Sequence, residues 1–199
     1  MEPLTFILMG RSGCGKGTQA KLLKEYIEAH DSSKRSLFYL ETGARFREFI
    51  QGKSFSSRLA AEINKTGGLQ PAFLAVWNWA HLLVDEMTGE EHLIVDGMPR
   101  SYQEALVFDT AMTFYGRVKP VLIYLDVSRQ WAKEKLVGRG RSDDRTSVEI
   151  DRKLNWFESD VLPAVDFFRD NPKYHFIHID GEQTIEKVHE DVMGGVKIG

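Results

Sequence analysis

The chain has 199 residues, 42% of them hydrophobic, which suits a single domain with a substantial core. Its 26 basic and 29 acidic side chains give a formal net charge of -3, so composition supplies no footprint for nucleic acid. Cys14 is the one cysteine, which excludes an internal disulfide and a thiolate cluster for zinc or iron–sulfur. No basic-then-apolar signal segment opens the chain and no apolar run approaches membrane-spanning length. The expectation is a cytoplasmic monomer with no membrane and no nucleic-acid partner.

The first element organises the rest. Residues Leu4 to Lys21 read LTFILMGRSGCGKGTQAK. An apolar run to Met9 predicts a buried strand, a Gly-rich turn follows, and Lys16 opens an amphipathic helix to about His30. In such a strand–loop–helix unit, backbone N–H groups converge on an anion together with the unpaired N–H groups of the helix start. Gly10 to Lys16 fits the phosphate-loop spacing G-x-x-x-x-G-K, but Gly17 takes the usual hydroxyl position and Thr18 follows it. Candidate contacts to a nucleoside triphosphate are Gly13, Cys14, Gly15, Lys16, Gly17 and Thr18. Lys16 supplies a mobile positive charge and Thr18 a hydroxyl near a metal. Cys14 is expected to be a loop residue, not a nucleophile.

Further along, residues 37–41 predict a short strand that Thr42 and Gly43 end. Helical stretches follow at 44–51 and 55–65, then a long helix from Ala72 to Met87 with Pro71 at its start. HLIVD (92–96) is a buried strand, with a helix to Phe114 after GMPR. PVLIYLD (120–126) is another strand, and a helix spans about 128–137. The segment 138–145, GRGRSDDR, is short, charged and Gly-interrupted. A long helix runs from Ser147 to Arg169 with Pro163 as a kink or boundary. YHFIHID (174–180) is the last strand, before a closing helix at about 184–193. Five strands with helical crossovers predict an α/β domain with a parallel sheet covered on both faces. Functional residues are then expected beyond the carboxyl ends of the strands.

Asp96 ends a strand beside the phosphate loop and suits magnesium or its waters. Arg47 and Arg100 lie just past strand ends and suit a second anionic ligand. Arg45 is expected to be solvated. Arg139, Arg141 and Arg145 surround Asp143 and Asp144 in a charge run that reads either as a solvated surface or, bounded by helices and by Gly138 and Gly140, as a segment able to close as a lid. There they would offset charge on a transferring phosphoryl group. Trp77 and Trp79 lie two apart in a helix, point to different faces, and read as packing or surface groups.

Taken together, GRSGCGKGTQ (10–19), TGARFR (42–47), GGLQP (67–71), LIVDGMPR (93–100), GRGRSDD (138–144) and IDG (179–181) resemble the adenylate kinase and nucleoside monophosphate kinase family of the short-lid type. The resemblance implies a P-loop kinase fold with a helical NMP-binding insert at about 42–70 and a short lid at about 138–145. It implies reversible phosphoryl transfer from Mg-ATP to a nucleoside monophosphate, AMP giving two ADP. The catalytic set carried over is Lys16, Arg100, Arg139, Arg141 and Arg152, with Lys153 competing for the last role. Arg139 also serves the donor nucleotide. Thr42, Gly43, Arg47, Gly97, Arg100 and Glu104 resemble acceptor contacts, and Thr18 and Asp96 the magnesium partners, acting through water. The segment 180–184 resembles the loop passing the donor adenine. Three departures stand out. Ala44 replaces the usual aspartate, Met98 the usual phenylalanine, and Glu104 stands where a base-reading glutamine is expected. A UMP/CMP-type kinase and a nonenzymatic nucleotide-binding module are the alternatives. No zinc is expected in so short a lid.

Overall fold

In the computed structural model, residues 2–139 and 146–196 are described. Among them, five strands form one parallel sheet in the order β2-β3-β1-β4-β5. The strands are β1 (Thr5–Gly10), β2 (Leu37–Glu41), β3 (His92–Asp96), β4 (Val121–Asp126) and β5 (His175–Asp180). β1 is central, so the loop that leaves it opens where the chain turns to opposite sides of the sheet. That crevice is the usual ligand position in open parallel sheets.

Side chains alternate across each strand, and both faces are covered. Ile7 and Met9 of β1 pack on one side with Leu40, Val95, Trp79 and Phe108. Phe6 and Leu8 pack on the other with Leu23, Ile94, Leu125 and Val192. The first layer is built by α4 (Ala72–Glu86), α5 (Tyr102–Phe114) and α8 (Leu162–Arg169); the second by α1 (Lys16–His30), α6 (Arg129–Arg139), α7 (Ser147–Trp156) and α9 (Ile185–Gly195). The short helices α2 (Thr42–Phe49) and α3 (Phe55–Lys65) connect β2 to α4.

Two expectations change. Thr42 and Gly43 do not merely end a strand; they begin α2 directly after Glu41. The long helix expected at 147–169 is three pieces. A π-helical turn, Phe157–Val161, separates α7 from α8, and Pro163 falls in the first turn of α8. An interior proline removes an N–H that the preceding turn would accept, so the helix is rebuilt ahead of it.

Candidate active site

β1 ends at Gly10, whose φ is +146°. A Cβ there would overlap the Leu125 carbonyl and stand 2.7 Å from Cys14 Sγ, so only glycine lets the loop leave the sheet here. The loop then turns through Gly13 (φ +91°) into Gly15 (φ +96°), the cap of α1. The loop thus delivers the start of α1, and a helix start attracts anions. Lys16 Nζ donates to the carbonyls of Gly10 (2.8 Å) and Arg11 (2.9 Å), and lies 3.6 Å from Cys14 Sγ. Its ammonium thus spans the loop. Arg11 ties the outside of the loop to the rest of the molecule through Val127 O and Glu158, with its guanidinium over the Phe157 ring.

The loop opens onto a cavity of about 740 Å³, within the usual size of small-molecule sites. Gly13 to Thr18 line one end. The far side is lined by Thr42, Gly43, Arg47, Gly97, Arg100 and Glu104. Asp96 also faces the cavity, at the end of β3 beside β1. It is largely buried, and Tyr39 Oη donates to its Oδ2 at 3.0 Å. Burial and the Asp96 charge push the Tyr39 phenol upward, which keeps it a hydrogen donor at neutral pH. The Tyr39 contact depends on adjacent parallel strands, β2 and β3.

The second wall is assembled by side chains. Thr42 Oγ1 donates to Gly97 O at 3.1 Å, and Arg100 Nε to the same carbonyl at 2.6 Å. Arg47 donates to Glu41 at 3.1 Å. A Cβ on Gly43 would stand 3.3 Å from Arg47 Nη1 and 3.5 Å from Arg100 Nη2. Two guanidinium groups from different elements therefore approach one point, an arrangement suited to a bound phosphate.

Glu104 is 3% exposed. Its Oε1 accepts from Trp79 Nε1 at 3.0 Å and its Oε2 from the Arg100 amide at 2.6 Å. Burial pushes its carboxyl up, against the opposing pull of the Arg100 amide and guanidinium and of Trp79. Gln103 points to solvent. Trp79 packs as expected but also carries this hydrogen bond; Trp77 lies on the surface between Phe49 and His81.

The structure does not bring Arg152 to the cavity. Arg152 is exposed and donates to the Thr66 carbonyl, whereas Lys153 is buried and lines the cavity. The sequence reading favours Arg152 with Lys153 competing, and of the two it is Lys153 that lines the cavity. The phase of α7 explains it, because Ile150 and Leu154 share its buried face with Lys153. That stripe was the signal available in the sequence. Trp156, from the same helix, donates to Gly67 O at 3.1 Å. Arg45 is partly exposed and does not line the cavity. The expected lid falls mainly on residues 140–145, so Arg141 and Arg145 lie outside the described residues, as does the side chain of Arg139.

The model of the adenylate kinase family matches residues 8–173. The chain belongs to this family. Among similar proteins is an adenylate kinase of Leuconostoc mesenteroides, 30% identical over 187 residues, covering 94% of this chain and 93% of that one. Another, from Flavobacterium psychrophilum, is 26% identical over 192 residues and covers 93% and 94%. An adenylate kinase 1 of Nostoc is 28% identical over 185 residues and covers 92% and 94%. The family membership agrees with the five-stranded parallel sheet and with the loop that opens at its centre.

Proposed function

We propose that the protein is an adenylate kinase, which moves the γ-phosphoryl group of ATP reversibly to AMP and yields two ADP. The carrying observation is the convergence of Arg47 and Arg100 at Gly43, in the same cavity as the phosphate loop. A triphosphate at the loop and a monophosphate at the arginine pair would share one cavity.

In this reading Gly13 to Thr18 hold the donor phosphates, and Lys16 moves from its loop carbonyls onto them. Arg47 and Arg100 hold the acceptor phosphate. An acceptor oxygen attacks the γ-phosphorus in line as the bond to the β–γ bridging oxygen breaks, and ADP leaves. No covalent protein intermediate is needed, since positioning and charge compensation carry this chemistry. Lys16, Arg100 and Lys153 supply positive charge from the described residues, and Arg139 and Arg141 would add to it from the lid segment. Residues of about 42–70 form the acceptor-side insert and 138–145 the lid; their closure would exclude water.

Magnesium, when bound with ATP, neutralises phosphate charge. Thr18 and Asp96 fit it, because Asp96 Oδ2 stands only 3.5 Å from where a Gly17 Cβ would lie, close beside the phosphate loop. Among the described residues no group of three or more His, Cys, Asp or Glu forms a metal cage. That donor set suits a metal held mainly by nucleotide oxygens and water.

The test is an assay with ATP, magnesium and a panel of AMP, UMP, CMP, GMP and dTMP. ADP formation greatest with AMP supports the proposal, and folded protein that forms none from AMP overturns it. Glu104 favours keeping a second reading, a kinase of another nucleoside monophosphate, since a carboxylate offers acceptors where an amide offers both hydrogen-bonding roles.

A further inference from the structure

Glu104 is a carboxyl group that the phosphoryl-transfer chemistry does not use, yet it is buried and faces the cavity. Each of its oxygens is held by one fixed donor, Trp79 Nε1 at 3.0 Å and the Arg100 amide at 2.6 Å. The group is therefore placed, not free to swing away. Each oxygen retains a lone pair for a ligand. Adenine presents one donor, its N6 amino group, beside one acceptor, N1. An ionised carboxylate can only accept and would set a lone pair against N1. A carboxylic acid accepts at one oxygen and donates from the other, which matches the adenine edge.

We infer that Glu104 meets the acceptor base as a neutral carboxylic acid, so that AMP is bound together with one proton. This rests on the adenylate kinase reading above. The carboxyl O–H donates to adenine N1, and the second carboxyl oxygen accepts from the N6 amino group. The proton comes from solvent wherever Glu104 is ionised before AMP arrives, and it returns there on release.

The surroundings agree with this. Desolvation raises the carboxyl's proton affinity, and Arg100 is the charged group that opposes it. The other charged groups near the wall are these. Arg47 pairs with Glu41, and Asp96 accepts from Tyr39. Lys153 faces the cavity from α7. On α8, packed against α5, Asp166 and Arg169 pair with each other at the surface. On α4, His81 bonds its own helix at Trp77 O, and Asp85 and Glu86 are exposed. Further along α5, Asp109 pairs with Lys173.

The experiment measures KM for AMP and for ATP from pH 5.5 to 8.5, in the wild type and in Glu104→Gln, with proton uptake on AMP binding read by calorimetry in buffers of different ionisation enthalpy. Glu104→Gln keeps the shape of the side chain and shares any effect of AMP's own phosphate ionisation, so the difference between the proteins isolates Glu104. The wild-type KM for AMP should rise relative to the variant's by about tenfold per pH unit once Glu104 ionises in the free enzyme. KM for ATP should not show this rise. AMP should bring about one more proton to the wild type than to the variant in that range.

Trp79→Phe removes one donor to the carboxylate, and should move the onset of the rise to higher pH. Equal proton uptake and parallel KM profiles in wild type and Glu104→Gln would overturn the inference, as would a preference for GMP at pH 8, whose N1–H and N2 amino group suit an ionised carboxylate. If neither protein forms ADP from AMP at any pH, the adenylate kinase reading fails instead. Activity with parallel pH profiles leaves that reading standing and removes this one.

Discussion

The two ends of the cavity are built by different means. At the phosphate loop the binding groups are mostly backbone, carried by a continuous strand–loop–helix segment whose glycines at positions 10, 13 and 15 have positive φ. At the opposite wall they are side chains from separate elements. Thr42 and Arg47 come from α2, Arg100 precedes α5, and Glu104 lies within it. A backbone cradle takes any polyphosphate, so it does not choose an acceptor. A wall of side chains can be altered one group at a time, and its selectivity is correspondingly open to change. The departure at Glu104 lies on that wall, while the loop keeps its spacing.

This contrast should be visible in mutants. Lys16→Ala should cause the largest loss, lowering kcat by about 10³, since it removes the charge that the proposed reaction brings onto the donor phosphates. Arg100→Ala should lower kcat/KM for AMP by about 10², with ATP affinity in a binding titration nearly unchanged. Equal loss of ATP binding in both variants would mean that the two walls do not act separately. Both residues lie in the cavity, so fluorescence melting curves should accompany the kinetics to exclude unfolding.

The next test separates neighbours on one helix. Lys153→Ala should lower kcat on the order of 30-fold, equivalent to about 2 kcal/mol of lost charge-assisted contact. Arg152→Ala should change it by less than about threefold, because Arg152 is directed at the Thr66 carbonyl on the surface. The reverse order would assign the catalytic role to Arg152.

This pair also shows how far the sequence could be read. β2, β3, α1 and α3 have the boundaries that their local pattern predicts, because turn residues and apolar periodicity are encoded within each segment. The phosphate loop is legible for the same reason. That Lys153 and not Arg152 lines the cavity follows from the helix phase, which the flanking Ile150 and Leu154 contain but a motif match ignores. The Trp79–Glu104 bond joins residues 25 positions apart on different helices, and no local pattern predicts it. The Tyr39–Asp96 bond likewise depends on a strand pairing between positions 57 apart.

Glu104 also predicts a stability difference. Its folded-state proton affinity is raised above the ordinary carboxylate value by burial. The folded protein then holds this proton more tightly than the unfolded chain does. The resulting stabilisation is complete below the ordinary carboxylate range, and is lost as pH rises through the raised value. Glu104→Gln should therefore gain thermal stability over the wild type between mildly acid and alkaline pH. The melting temperatures of the two proteins across that range give the check, and a gap that narrows as pH rises would contradict the raised value.

Tyr39→Phe should have the smallest effect, and it probes the seam between the walls. Tyr39 belongs to β2, on the acceptor side, yet its hydroxyl holds Asp96, a carboxylate beside the phosphate loop. Removing the hydroxyl leaves the ring in place and takes one donor from Asp96 Oδ2, at a cost of about 1 kcal/mol or roughly fivefold. If Asp96 serves the magnesium waters, the loss should appear as a higher magnesium requirement and weaker Mn²⁺ binding by electron paramagnetic resonance in the presence of ATP. KM for AMP should stay within about twofold of the wild type. A variant with unchanged metal dependence but raised KM for AMP would instead assign Tyr39 to the acceptor wall, and would mean that Asp96 needs no partner from β2 to keep its orientation.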